Sequence, residues 1–157
     1  MKKHILLILL NLCFFNFNCT SQQKQEKNTN NLEQTKKQKL EKIELREQTR
    51  GTNKSFTLSS EALTVSLNEN ITNSKITLSE WENVEKEVNH IDLSKISSFA
   101  APTTGHYSDQ ALASTILITS NGSTYQSSSF DSGNPPKELA SLYKILQQVI
   151  QSKKTTQ

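Results

Sequence analysis

The residues best suited to chemistry in this 157-residue chain are a histidine and an aspartate within one short segment, His106-Tyr107-Ser108-Asp109. A histidine oriented by a carboxylate can act as a general base toward a serine hydroxyl. Serine hydrolysis also needs the nucleophile on a sharp turn, and the chain contains no G-x-S-x-G sequence. A small hydrolase that uses His106 and Asp109 is therefore an alternative, whereas the sequence favours a protein that is not an enzyme.

Other patterns that could bind a ligand or catalyse a reaction are weak. His90 lies near the end of a predicted helix, where the helix dipole favours a histidine for structural reasons. Asp109 and Asp131 could meet as a carboxylate pair, although Asp131-Ser132-Gly133 is typical of a turn. No spacing of His, Asp and Glu resembles a metal site, and no glycine-rich loop could hold phosphate. We expect no cofactor and no metal.

The remaining reactive side chain is Cys19, which directly follows an apolar segment at the amino end. Lys2 and Lys3 precede a stretch from 5 to 17 that is rich in Ile, Leu and Phe. This stretch is too short for a spanning helix and fits the core of a signal peptide. The chain becomes polar after Cys19, as it does after the lipid-attachment cysteine that bacterial lipoproteins carry and that Cys19 resembles. We predict a signal peptide at 1–18 and lipid attachment at Cys19. Ordinary secretory cleavage nearby and an uncleaved anchor are the alternatives.

Composition excludes several classes of protein. Apolar residues make up 33% of the chain, the formal charge is +3, and there are two cysteines. These values exclude a polytopic membrane protein, a disulfide scaffold and a strongly basic nucleic-acid binder. Both cysteines belong to the amino end, so disulfides, zinc thiolates and thiol catalysis are excluded from the folded part. Removal of Lys2 and Lys3 leaves 16 basic against 15 acidic residues, and we expect no nucleic-acid partner.

Residues 19–39 are predicted to be a lipidated amino terminus followed by a disordered tether. From 22 to 39 the chain has one leucine, no aromatic residue and many Gln, Lys, Asn and Glu. Such a segment cannot bury enough apolar surface to offset the entropy lost on ordering. A flexible coil of about 20 residues would hold a domain roughly 25 Å from the bilayer. The predicted location is the cell membrane or outer membrane, facing the periplasm or the exterior.

Residues 40–152 are predicted to form a single α+β domain, with a frayed tail at 153–157. Apolar and polar residues alternate around 43–45, 56–58 and 63–67, which predicts three short strands in an antiparallel meander. The polar stretch 68–74 is predicted to be a loop.

A helix is predicted to begin at Thr77. Thr77 and Glu80 match the T-x-x-E capping box, in which each side chain satisfies a free backbone N–H of the other residue. Trp81, Val84 and Val88 then lie on one face of the helix because they are spaced by three and four residues.

A hairpin and a second helix complete the domain. Asn121-Gly122 separates two runs with strand character, 111–119 and 125–130, and Asn-Gly is a strong hairpin signal. Pro135-Pro136 precedes a segment with a leucine-rich stripe, which predicts a helix. The predicted order is β-β-β-α-β-β-α, an antiparallel sheet with two helices packed on one face.

Loops offer the best candidate binding surfaces, because loops carry function on a rigid scaffold. The polar run from Ser127 to Ser129 in the last predicted strand could pair with an extended segment of a partner, or it could only keep an edge soluble. The candidate interaction residues are Gln48, Arg50, His106, Tyr107, Asp109 and Asn121.

Several features between 76 and 150 occur together in a recognisable pattern. They are the helix with Trp81, Val84 and Val88, the step Ile91-Asp92-Leu93, Asp109 before a strand, the hairpin, and Asp131-Ser132-Gly133-Asn134-Pro135-Pro136 before a leucine-rich helix. This pattern resembles the emfourin-type small proteins, which are proteinaceous inhibitors of thermolysin-like metallopeptidases. Gln48-Thr49-Arg50-Gly51 stands where that group has a glycine-rich turn. The resemblance implies the architecture and an inhibitory activity.

The sequence as a whole predicts a cell-envelope lipoprotein with a small, non-catalytic binding domain. Its expected partners are the membrane, through the lipid, and a protein of the envelope. The first alternative is an inhibitor of a thermolysin-like metallopeptidase, and the second is the small hydrolase described above.

Overall fold

The computed structural model describes residues 39–154. The predicted signal peptide, Cys19 and the tether up to residue 38 lie outside the described residues, as do residues 155–157.

Within this range the chain forms one seven-stranded antiparallel sheet and two α-helices, which confirms the predicted α+β class. The strand order across the sheet is β4-β3-β2-β1-β5-β6, and β7 also pairs with β5. The strands are β1 Leu40–Thr49, β2 Thr52–Ser59, β3 Ala62–Leu67, β4 Asn70–Lys75, β5 Ala113–Ser120, β6 Ser123–Gln126 and β7 Phe130–Asp131; the helices are α1 Leu78–Val88 and α2 Ala140–Lys154.

Strand β1 lies in the middle of the sheet and is paired along most of its length on both sides. Ile43 is opposite Leu58 of β2 and Ile118 of β5, and all three side chains are buried. The next inward position, Leu45, is opposite Phe56 and is buried as well. The alternating residues of the meander therefore place one apolar face of the sheet under the helices.

Strand β4 was predicted to be a loop, and that prediction is wrong. Asn68 and Glu69 both have positive φ, and they form a two-residue turn between the paired residues Leu67 and Asn70. The strand was not visible in the sequence because five of its six residues, Ile71 included, are exposed and none is fully buried. A strand at the sheet edge that covers no core carries no alternation of apolar and polar residues.

The segment after β6 also differs from the prediction, because Ser127 to Ser129 are not part of a strand. Ser127 is buried, its N–H donates to the carbonyl of Ile116, and its Oγ accepts from the N–H of Ile116. Ser128 Oγ donates to the carbonyl of Phe99. These serines fasten the sheet to the segment beside it and do not present a free edge to a partner.

Helix α1 begins as the capping box predicts. Thr77 Oγ1 accepts from the N–H of Glu80 at 3.2 Å, and Glu80 Oε2 accepts from the N–H of Thr77 at 2.7 Å. Trp81, Val84 and Val88 are the buried residues of this helix. A short 3-10 helix, Leu93–Ser98, follows and places Leu93 and Ile96 in the core.

Helix α2 covers the same apolar face. Its buried stripe comprises Leu142, Tyr143, Leu146, Val149 and Ile150. The helix continues to Lys154, two residues into the stretch predicted as a frayed tail. Lys153 Nζ lies 2.9 Å from Glu80 Oε1, which ties the last turn of α2 to the first turn of α1.

No helix in the range 39–154 is long and apolar enough to cross a membrane.

Candidate functional site

The loop before β5 is held in place by the carboxylate of Asp131. Asp131 accepts hydrogen bonds from the Thr103 hydroxyl, from the N–H of Gly105 at 2.9 Å and from the N–H of His106 at 2.6 Å. The ring of His106 adds a fourth bond through Nδ1, at 2.5 Å. One short strand residue, in β7, therefore positions a loop that lies about 25 residues earlier in the chain.

This set of donors holds the pKa of Asp131 well below its usual range. The largest cause is the hydrogen bond from the Thr103 hydroxyl; burial of the carboxyl group opposes the shift, and the bonds from His106 and Gly105 add to it. The carboxylate is ionised at neutral pH and can only accept, so Nδ1 of His106 carries the shared proton.

His106 is a buried support and not an exposed contact residue. Its side chain is only 2% exposed, and its Nε2 is buried without a hydrogen-bond partner among the described residues. The ring of Tyr107 lies with its centroid 4.1 Å from that of His106, at an interplanar angle of 43°. Tyr107 itself is 79% exposed. The buried ring of His106 thus supports the exposed ring of Tyr107.

Gly105 lies close to Asp131. A Cβ atom at this position would lie 3.0 Å from Oδ2 of Asp131, which is tighter than nine in ten real Cβ contacts. Because the N–H of Gly105 donates to this same oxygen, a larger residue would push against the carboxylate that anchors the loop.

The two residues after Asp131 fasten the site to the rest of the domain. Ser132 Oγ donates to Glu47 Oε1 at 2.7 Å, and Glu47 belongs to β1. The N–H of Gly133 donates to the hydroxyl of Tyr143 in α2 at 2.9 Å. Three consecutive residues therefore connect the loop, the central strand and the second helix.

An ion pair connects this loop to the turn between β1 and β2. Arg50 Nε lies 3.3 Å from Asp109 Oδ2, and Thr49 Oγ1 donates to Asp109 Oδ1 at 3.2 Å. The side chain of Arg50 is 93% exposed and that of Asp109 is 48% exposed. Both residues are therefore held near each other and are accessible from solvent.

A concave surface of about 450 Å³ lies between these two segments. Gln48, Arg50, His106 and Asp109, all candidates from the sequence, line it together. They meet because Gln48 at the end of β1 is opposite Ala113 at the start of β5. The remaining lining residues are Thr49, Thr52, Asn53 and Ala113, so most of the residues that line the surface have polar side chains.

Asn121 is at the opposite end of the sheet. Its N–H donates to the carbonyl of Lys39, and its Oδ1 accepts from the N–H of Lys39 at 3.2 Å. The neighbouring Gly122 donates its N–H to Glu41 Oε1 at 2.7 Å. The tip of the hairpin therefore clamps the point at which the chain enters β1, and it does not share a surface with the other candidates.

The structure does not pair His106 with Asp109. His106 is bonded to Asp131, while Asp109 contacts Thr49 and Arg50. No serine hydroxyl among residues 39–154 is bonded to Nε2 of His106. Within the same residues, no group of three or more His, Cys, Asp and Glu is arranged to hold a metal ion. The geometry thus gives the loop a supporting histidine and an exposed aspartate.

A second depression, of about 460 Å³, lies between the two helices. It is lined by Glu80, Asn83, Ile145, Gln148, Val149 and Ser152. Its acidic group is already engaged, because Glu80 bonds to Thr77 and to Lys153. This depression is the seam where α1 and α2 pack together.

Sequence reasoning did not find the role of Asp131. The sequence Asp131-Ser132-Gly133 predicts a local turn, whereas the carboxylate of Asp131 bonds to residues 25 to 28 positions earlier in the chain. The sequence offers only Gly105 directly before His106 as a signal, because a glycine permits the close approach of a neighbouring group.

Comparisons with protein-family models, curated proteins and solved structures gave no match for this chain.

Proposed function

We propose that this protein is a lipid-anchored binding domain of the cell envelope that contacts a partner protein through the loop-end surface, defined here as Gln48, Arg50, Tyr107 and Asp109. One observation carries the proposal: the exposed Arg50 lines the concave surface from the β1–β2 turn, and the exposed Tyr107 directly follows His106, which lines it from the loop anchored by Asp131. Tyrosine and arginine are enriched among the residues that dominate protein–protein binding energy.

Rigidity of the loop supports binding as the role of this surface. Residues 103–106 are held by four hydrogen bonds to one carboxylate, so little conformational entropy remains to be lost when a partner binds.

Inhibition of a thermolysin-like metallopeptidase is the second candidate. Its support is the sequence pattern between 76 and 150 together with the fixed, exposed loop, because protein inhibitors of peptidases bind with pre-organised segments. The test is a titration of a thermolysin-like peptidase with the protein. Loss of peptidase activity at a stoichiometric ratio is expected under this candidate, and full activity at micromolar excess contradicts it.

The test of the main proposal is recovery of partners from an envelope extract. The wild-type chain, Tyr107→Ala and Arg50→Ala are compared with Lys86→Ala, which removes an exposed cation from α1 instead. We expect the captured protein to bind about tenfold more weakly to Tyr107→Ala, because tyrosine is enriched among the residues whose truncation weakens binding most. Equal recovery by all four proteins would refute the loop-end surface as the binding site.

The anchor is tested separately at Cys19. We expect Cys19→Ala to move the protein from the membrane fraction to the soluble envelope fraction, because the acyl chains supply the membrane affinity. Membrane association that persists in this variant would exclude lipidation at Cys19 as the anchor.

A further inference from the structure

The outer edge of β4 has backbone groups that are free to pair with another strand. The turn Asn68-Glu69 has positive φ at both positions, which is the signature of a type I′ hairpin whose flanking residues, Leu67 and Asn70, are hydrogen-bonded. Hydrogen-bonded pairs alternate along an antiparallel ladder. Therefore Ile71, Asn73 and Lys75 direct their N–H and C=O groups away from β3.

Nothing within residues 39–154 covers this edge. No backbone hydrogen bond joins Ile71, Asn73 or Lys75 to a segment other than their own hairpin. The opposite side of the sheet is different, because the 3-10 helix Leu93–Ser98 lies against β6. Edge strands are usually protected by proline, a bulge, a cover or charged side chains; β4 has none of the first three, and its one charged residue, Lys75, is at its end.

Side chains on the edge also favour contact with another strand. Ile71 is 65% exposed and is among the most exposed large apolar residues of the described chain. It shares one face of the sheet with Asn73 and Lys75, because side chains alternate along a strand. An isolated edge strand would keep this isoleucine in water.

We propose that β4 pairs with β4 of a second copy of this chain, in antiparallel orientation about a two-fold axis at Asn73. In this register Asn73 is opposite its own counterpart, and Ile71 of each copy is opposite Lys75 of the other. All three outward-facing residues then pair with outward-facing residues, which forms six backbone hydrogen bonds. With the two-fold axis at Thr72 instead, only four backbone hydrogen bonds would form between the two β4 strands.

Charge complementarity favours a second copy over an unrelated strand. The two Lys75 residues are four positions apart along the paired strands, about 13 Å. Glu69 of one copy, in the turn just before β4, is two positions from the residue opposite Lys75 of the other copy, and both side chains are long and exposed. The aliphatic part of Lys75 lies across the exposed Ile71 of the other copy. Opposite charges are thus adjacent and like charges are separated.

Cross-linking of the full chain in its own membrane tests this register. Asn73→Cys is compared with Ile71→Cys and with the wild-type chain, which carries Cys13 and Cys19. Opposed Asn73 positions have Cα atoms about 5.5 Å apart, inside the range of a disulfide. Opposed copies of Ile71 are about 13 Å apart, beyond that range. We expect a disulfide dimer for Asn73→Cys at a yield at least fivefold above both controls.

A charge exchange gives an independent measurement that does not depend on new cysteines. In the full chain held in detergent, Lys75→Glu should weaken self-association about three- to tenfold, because it places two glutamates side by side at both ends of the pair. The double variant Glu69→Lys with Lys75→Glu should restore it. Each of four results would overturn the proposal: Asn73→Cys forms no disulfide dimer, the controls give equal yields, Asn73→Cys cross-links to another protein instead, or the double variant does not restore self-association. These results do not depend on the loop-end surface, because none of the substituted residues belongs to it and β2 and β3 lie between β1 and β4.

Discussion

Replacement of Trp81 tests whether the first helix packs as described. Trp81 is 5% exposed and lies in the core with Val84 and Val88. A buried aromatic side chain removes about 150–250 Å² from water, and about 25 cal/mol per Å² gives roughly 4–6 kcal/mol. The alanine that remains keeps its own methyl group buried. We therefore expect Trp81→Ala to lower the free energy of unfolding by about 3–5 kcal/mol.

Urea unfolding followed by circular dichroism is the appropriate assay, because Trp81 is the only tryptophan and its fluorescence is lost in the variant. With a slope of about 2 kcal/mol per M, the midpoint should fall by about 2 M. Trp81→Phe should lose about half as much, since it keeps an aromatic ring, and it remains measurable if the alanine variant does not fold. Glu82→Ala, on the exposed face of the same helix, is the matched control and should change stability by less than about 0.5 kcal/mol. A loss below about 1 kcal/mol for Trp81→Ala would refute the assignment of this face to the core.

Three further predictions concern the loop anchor and the helix cap. Because folding lowers the pKa of Asp131, its contribution to stability is present above the ordinary carboxyl pKa and is lost as the pH falls. The midpoint temperature of thermal unfolding should therefore stay constant above about pH 5 and fall below about pH 4, and it should fall less steeply in Asp131→Asn. If the acid slopes of the two proteins coincide, the anchoring role is wrong. Gly105→Ala should destabilise the domain by about 1–3 kcal/mol, because the added Cβ crowds the Asp131 carboxylate. The neighbouring Thr104→Ala is the control and should not destabilise it. Equal urea midpoints for the two variants would contradict this prediction. Thr77→Ala should lower the free energy of unfolding by about 0.5–2 kcal/mol, and Thr77→Ser should lower it much less, because serine keeps the hydroxyl that caps α1. An equal loss in both variants would show that the capping hydroxyl is not the cause.

Much of the fold could be predicted because local patterns and global packing agree. The inward residues of β1 and β2, the capping box at Thr77 and the Asn121-Gly122 turn each indicate their element from a few neighbouring residues. Strand β4 could not be predicted in the same way, because it covers no core and its pairing is fixed by the turn before it. Short, exposed strands are defined by backbone hydrogen bonds alone.

The candidate site was predictable in its members but not in their roles. Gln48, Arg50, His106 and Asp109 were identified as loop residues, and they line one concave surface. The sequence could not show that His106 would turn inward, because its partner Asp131 is brought near only when β7 pairs with β5. For the same reason it could not show that Asp109 pairs with Arg50 across 59 residues of chain.

The position of β1 has a mechanical consequence for a tethered protein. The chain enters β1 at Leu40, and the loop-end surface begins at its other end, about 33 Å away. A pull between a membrane anchor and a partner held at Arg50 would therefore run along a single covalent strand. The part of the force that passes through Asp109 loads the ladder between β1 and β5 in shear, over the eight residue pairs that join these two strands. In the proposed arrangement the domain would transmit force without first peeling apart.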